Sequence, residues 1–178
     1  EVTLTVLHAG GKVDNDAHQG SGGLHGGGVA VVNALSKWLE VEVKRNGALW
    51  RHHFESGEPQ GDIERVRELD DDEGTGTTIR FWPDREIFET TEFLFSTLES
   101  RLRELAFLNS GVEIGLADDR NSESQRFCYE GGIREFVAYL DEPKTTLTDE
   151  VAHFEDSAET PGGEGKVEIE GALQADAE

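Results

Sequence analysis

One cysteine, four prolines and no methionine occur in 178 residues. The lone Cys128 excludes an internal disulfide, so packing and hydrogen bonds alone must hold the fold. With Phe127 and Tyr129 beside it, Cys128 reads as a strand residue, not as a nucleophile. Basic residues are scarce as well. Five lysines contribute to a total of 16 Lys and Arg, against 38 Asp and Glu, for a net charge of −22. DNA affinity comes mainly from neutralising phosphates with Lys and Arg, so this surface would repel a duplex. The same acid excess fits a protein working in molar salt, where the Debye length shrinks to about 3 Å. No apolar run approaches the ~20 residues of a membrane-spanning helix. No signal peptide is recognisable, and the expectation is a cytoplasmic chain with no membrane partner. No internal repeat occurs, and 35% hydrophobic content suits one core with a tail.

Glycine is what the chain has in plenty. Five of its 21 glycines crowd into positions 22–28, within Ser21-Gly22-Gly23-Leu24-His25-Gly26-Gly27-Gly28, and the apolar run Val29 to Leu35 follows at once. Glycine lets a backbone approach a ligand closely. A helix that starts just after it offers unpaired N–H groups and a positive dipole end, which suit a phosphate. Val29, Val32 and Leu35 recur at helical spacing and give that helix an apolar face. A flexible linker is the plainer reading of the glycines, but it calls for polar flanks. A Walker A loop is excluded because no lysine follows the glycines. A dinucleotide fold is disfavoured because about a dozen residues separate them from apolar Val2 to Leu7. The arrangement is that of a lid closing over a nucleotide.

Further along, Leu39, Val41 and Val43 alternate with Glu40, Glu42 and Lys44 as in a half-buried strand. Asn46-Gly47 predicts a tight hairpin, with Leu49 to Glu55 returning. A short strand is expected near Ile63 to Val66 and another over Thr77 to Phe81, stopped by Pro83. Leu94, Leu98, Leu102 and Leu105 predict one buried helical face, with a Glu99–Arg103 pair outside. Val112 to Leu116 and Gln125 to Tyr129 read as strands around a turn at Asp118 to Ser124. Ile133, Phe136, Val137 and Leu140 predict a last amphipathic helix. His52 and His53 are adjacent on a strand and point to opposite faces, so no metal site is expected there. From Asp149 onward ten acids meet one lysine; Val167-Glu168-Ile169 reads as a first strand left without partners, and disorder is the expectation. Strands exchanging with helices in this way predict a two-layer α/β sandwich.

These residues resemble a known family. Val6-Leu7-His8-Ala9-Gly10-Gly11-Lys12, Ser21 to Gly26 and Val31-Val32-Asn33-Ala34-Leu35-Ser36 look like the ATP lid and glycine motif of gyrase B-type subunits. Those proteins are GHKL (Bergerat-fold) ATPases of the type IIA topoisomerases. Gly76-Thr77-Thr78-Ile79-Arg80-Phe81-Trp82-Pro83-Asp84, Arg101 to Val112 and Tyr129-Glu130-Gly131-Gly132-Ile133 are similar to later segments of the same family. The likeness runs in order over residues 1–155. It implies a sandwich of the GHKL type that is incomplete at its N-terminus. Residues 1–148 would be the later part of the ATPase domain, and 149–178 an acidic tail that starts a transducer domain or is disordered.

The resemblance also implies roles. Gly23, Leu24, His25, Gly26, Gly27 and Gly28 would present N–H groups to the ATP phosphates, with Lys12 adding positive charge. Thr77 would stand beside the adenine. His18 occupies the position of a nucleotide-binding lid tyrosine. Gly20 and Gly27 stand where valines are common, and Val13 where a phenylalanine is. Arg51 matches an arginine at the pocket mouth, where coumarin-type inhibitors bind. The family's water-activating glutamate and Mg²⁺-holding asparagine lie in an E-x-x-D-N helix that this sequence does not contain. No catalytic or metal-binding residue is therefore assigned here, and the chain is read as an internal piece, inactive alone. Asp72-Glu73-Gly74-Thr75-Gly76 fits the family's adenine-reading D-x-G-x-G but falls at the wrong place, and is read as a decoy. The implied activity is ATP hydrolysis coupled to DNA strand passage and negative supercoiling. The implied cofactors are ATP and Mg²⁺, and the implied partners are gyrase A, DNA and a second copy of gyrase B. A B-type component of topoisomerase IV and a non-catalytic nucleotide-binding module are the alternatives.

Overall fold

The computed structural model describes residues 2–5, 27–159 and 166–177. Two compact units divide the chain, Glu1–Glu92 and Phe93–Glu178.

In the first unit, helices α1 (Val2–Thr5) and α2 (Gly28–Ala34) precede a five-stranded sheet. Its strands are β1 (Ser36–Arg45), β2 (Ala48–Glu55), β3 (Glu58–Pro59), β4 (Glu64–Glu68) and β5 (Gly76–Pro83). The order is β3-β2-β1-β5, with β4 also on β2. All pairs are antiparallel. Asn46 and Gly47 make the turn with φ of 54° and 71°, the left-handed pair that a two-residue hairpin requires. That turn fixes the register. Arg45 faces Ala48, and from there Glu42 faces Arg51 and Leu39 faces Phe54. Leu39, Val41 and Phe54 form the buried core, with Leu4, Val32 and Val43 packed against it. The predicted alternation of Leu39, Val41 and Val43 is therefore the core face of β1.

The face of α2 is rotated from expectation. Ala30 and Asn33 are buried, whereas Val29, Val32 and Leu35 are not fully covered. Asn33 takes the central place because its Nδ2 donates to two carbonyls, Leu4 O at 3.0 Å and Gly57 O at 3.2 Å. Gly57 closes this junction. It has φ of 85°, and a Cβ there would lie 3.2 Å from Ala34 Cα, so both conformation and space require glycine.

In the second unit, α3 (Phe95–Leu108) and α4 (Gly132–Asp141) accompany three two-stranded pairs. These are β6 (Ile114–Asp118) with β7 (Glu123–Phe127), β8 (Thr145–Thr146) with β11 (Asp176–Ala177), and β9 (Ala152–Glu159) with β10 (Lys166–Leu173). Phe107 is the centre of this unit, 1% exposed. Its ring lies 3.6 Å from Tyr129, 5.0 Å from Phe136 and 5.3 Å from Tyr139, centroid to centroid. That cluster turns α3 away from the predicted leucine face, and Leu94 and Leu105 are exposed. Glu99 and Arg103 do pair, at 2.6 Å, but on the half-buried side, where Arg103 also donates to the Tyr139 hydroxyl. Cys128 sits one residue beyond β7, exposed, and not within a strand.

Among the described residues of the acidic tail, the strand expected at Val167-Glu168-Ile169 has a partner. Val167, Glu168 and Ile169 pair with Ala158, Ser157 and Asp156 of β9. Apolar Phe154, Val167 and Ile169 alternate with acids, a period-two pattern that a count of charges does not register.

Candidate functional site

Of the nine residues expected at the nucleotide, Lys12, His18, Gly23, Leu24, His25 and Gly26 lie outside the described residues. Gly27, Gly28 and Thr77 are described. Gly27 is buried at the N-cap of α2, and no side chain caps that end. The first N–H groups of α2 have no intrahelical acceptor. Gly28 is exposed, with open space where a Cβ would be. The chain passes from α2 directly into β1, and β5 lies beside β1 with Thr77 opposite Val43. Thr77 thus stands on the same face of the sheet as Val41 and Ile79, by strand alternation.

Arg51 lies on the other face. It faces Glu42 across the hairpin, and Glu42 faces Thr78 on β5, so Arg51 and Thr77 project from opposite sides of the sheet. Arg51 donates to Glu42 from Nη2 at 2.7 Å and from Nε at 3.2 Å. Arg80 donates to both Glu40 and Glu42 at 3.0 Å. Hydrogen bonds from Arg51 first, then Arg80, hold the Glu42 carboxyl below the usual range, and the bond to Glu42 raises the Arg51 guanidinium.

On this polar face a depression of about 490 Å³ is bordered by Gly74 to Thr78 together with Glu42, Lys44 and Arg67. Its cations are already held. Glu73 accepts from Lys44 Nζ at 2.8 Å and from Arg67 Nη2 at 2.7 Å. Arg67 first, then Lys44, pulls the Glu73 carboxyl far below its ordinary value. The D-x-G-x-G stretch thus has a structural task, anchoring two basic side chains from β1 and β4. His52 is buried, with its Nε2 3.1 Å from Gly61 O, and His53 is half exposed. They form no common site.

Sequence reasoning passed over Glu42 and Glu73. Glu42 was within reach, because a two-residue Asn-Gly turn sets the pairing of Glu42 with Arg51 by counting outward. Glu73 was not, because its partners come from strands far apart in sequence.

The likeness to a solved ATPase domain shows the class of this α/β fold, that of GHKL (Bergerat) ATPase domains. No family model matches the chain. A solved structure of the 43K ATPase domain of Thermus thermophilus gyrase B, in complex with an aminocoumarin, matches with a TM-score of 0.70 and 32% identity. That match covers 95% of this chain and 40% of the other. More narrowly, the chain is homologous to a segment of DNA gyrase B. It is 65% identical to the gyrase B of Haloferax volcanii over 176 residues, 98% of this chain and 27% of the relative. The B component of DNA topoisomerase 4 from Bacillus subtilis is 46% identical over 175 residues, covering 25% of its length. The chain spans about a quarter of the length of the curated relatives it matches.

Proposed function

We propose that this chain supplies the ATP lid, the phosphate cradle and part of the adenine wall of a gyrase B-type protein. Such a protein couples ATP hydrolysis to DNA strand passage and negative supercoiling. The observation that carries the reading is 65% identity in one alignment spanning 98% of the chain. In this reading the N–H groups of Gly23 to Gly28 take the β- and γ-phosphates, and Lys12 offsets their charge. His18 hydrogen-bonds the nucleotide from the lid and Thr77 stands by the adenine, whereas Arg51, on the opposite face of the sheet and held by Glu42, is not counted with them. The uncapped start of α2 and the open space at Gly28 fit a phosphate there. Mg²⁺, when bound, neutralises phosphate charge. Its ligand and the general base belong to the E-x-x-D-N motif, which this sequence does not contain. DNA and gyrase A would be engaged by other regions of the whole protein, and two copies of gyrase B would pair as the lid closes. Residues 1–148 would belong to the ATPase domain and 149–178 would open the transducer domain. The excess of acids suits a cytoplasm of molar salt. Among the described residues no helix is long and apolar enough to cross a membrane.

The test is nucleotide binding and turnover by the purified chain in molar KCl. Saturable binding of a fluorescent ATP analogue, weakened by substitution of Lys12, is expected without hydrolysis. Turnover free of contaminating ATPase would overturn the division of labour, and absence of binding would overturn the cradle.

A further inference from the structure

The β9–β10 hairpin carries a side-chain cluster that the nucleotide reading does not use. His153 and Glu155 are two residues apart on β9 and share a face, and Glu170 of β10 stands directly opposite Glu155. One ligand atom from each lies within 4.8 Å of the others. His153 Nε2 is 2.9 Å from Glu170 Oε1 and 3.9 Å from Glu155 Oε1. Zinc with bonds of about 2.0–2.2 Å spaces its tetrahedral ligands roughly 3.3–3.6 Å apart, so these separations bracket what one ion needs. The register of two paired strands supplies that spacing, so little chain has to be ordered on binding.

Charge points the same way. Most carboxylates in ion pairs here face an arginine or lysine, as Glu168 does with Lys166 on this same hairpin. Among the described residues Glu155 and Glu170 face only His153. Two carboxylates thus converge on one imidazole, one of them in hydrogen-bond contact with it, and neither is paired with a lysine or arginine among the described residues. One imidazole nitrogen with two carboxylate oxygens suits zinc and cobalt, while magnesium keeps its waters and prefers oxygen alone.

We propose that His153, Glu155 and Glu170 form a site for a divalent transition metal of the zinc class, completed by water. The site uses none of the residues assigned to the nucleotide and does not depend on that reading. The test is Co²⁺ titration of the full 178-residue chain in about 1 M KCl, which screens diffuse attraction to the acidic surface. One equivalent of Co²⁺ should give a saturable visible d–d spectrum that Zn²⁺ displaces and excess Mg²⁺ does not. Loss of an outer-shell partner already costs metal sites about tenfold in affinity. His153→Gln and Glu170→Gln should therefore weaken binding by at least that much, while circular dichroism stays unchanged. Glu168→Gln, on the same face but tied to Lys166, should bind as the parent does. Equal binding by the parent and His153→Gln, or displacement by Mg²⁺, would mean diffuse carboxylate binding and would overturn the proposal. So would the absence of any saturable spectrum.

Discussion

The two units of this chain solve the same problem with unequal means. Glu1–Glu92 carries 18 acids against 9 bases, and Phe93–Glu178 carries 20 against 7, giving net charges of −9 and −13. The first unit buries Leu39, Phe54 and Ala48 completely beneath a five-stranded sheet and answers its acids with paired arginines. The second gathers its buried side chains around Phe107, while Phe154, Val167, Ile169 and Leu173 remain about half exposed on β9 and β10. A sheet spreads its core over many cross-strand pairs, so no single residue decides it. An aromatic cluster concentrates the same task on one ring. Among the described residues, the more highly charged unit is thus also the one with fewer buried apolar side chains.

The largest test of that contrast is Phe107→Ala, expected to cost its unit about 3–5 kcal/mol, against Phe54→Ala, expected at or below the lower end of that range. All three tryptophans, Trp38, Trp50 and Trp82, belong to the first unit, while α3 and α4 supply most of the helical signal of the second. Fluorescence and far-ultraviolet circular dichroism in urea therefore follow different units. Phe107→Ala should shift the dichroism midpoint and leave the fluorescence midpoint in place, and Phe54→Ala the reverse. Coincident shifts would break the comparison by showing one cooperative transition.

Next in size is Asn33→Ala, which strips the donor from the Leu4 and Gly57 carbonyls and should cost about 1–3 kcal/mol, read in the fluorescence transition alone. Salt should act more strongly on the second unit. Moving from dilute buffer to molar KCl should raise the dichroism midpoint more than the fluorescence midpoint, because self-repulsion scales with net charge. Equal gains would argue that the distribution of charge does not matter.

The smallest effect is acid titration. Hydrogen bonds from the Arg120 side chain first, then its backbone, lower the Asp118 carboxyl from 3.8 to about 2. Such a depressed group stabilises the fold above its unfolded pKa, and that contribution is lost as pH falls through its folded value. The Asp118–Arg120 contact should therefore weaken between about pH 4 and pH 2. Glu73 in the first unit, held lower still by Arg67 and Lys44, should keep its contacts beyond that point. Carboxyl carbon shifts followed by NMR would show the order, and reversal would contradict the geometry.

Much of this was legible in the sequence where a local rule governs. The Asn46-Gly47 turn specified strand pairing as far as Leu39 and Phe54, because a two-residue loop admits one register. The GHKL likeness was legible in long motifs such as Gly76 to Asp84. What escaped depended on distant partners. Asn33 is central to α2 because two carbonyls from elsewhere in the unit seek a donor, and a helical wheel ranks it as polar. Leu94 and Leu105 lost their place on α3 to an aromatic cluster assembled from three separate segments. In the tail the strand Val167-Glu168-Ile169 was legible from its alternation, but its partner, Asp156 to Ala158 of β9, was not.

Glu73 joins Lys44 of β1 to Arg67 of β4, and β2 runs between those strands. β4 pairs through its backbone with β2 alone, as a strand free to fray would. The shared carboxylate changes its dynamics, since peeling β4 away also means releasing an anchor fixed two strands off. Its amides should then exchange with solvent in the same opening event as those of β1 and β2, not in an earlier one of their own. The loop ahead of β5 thus serves as a latch on the margin of the sheet.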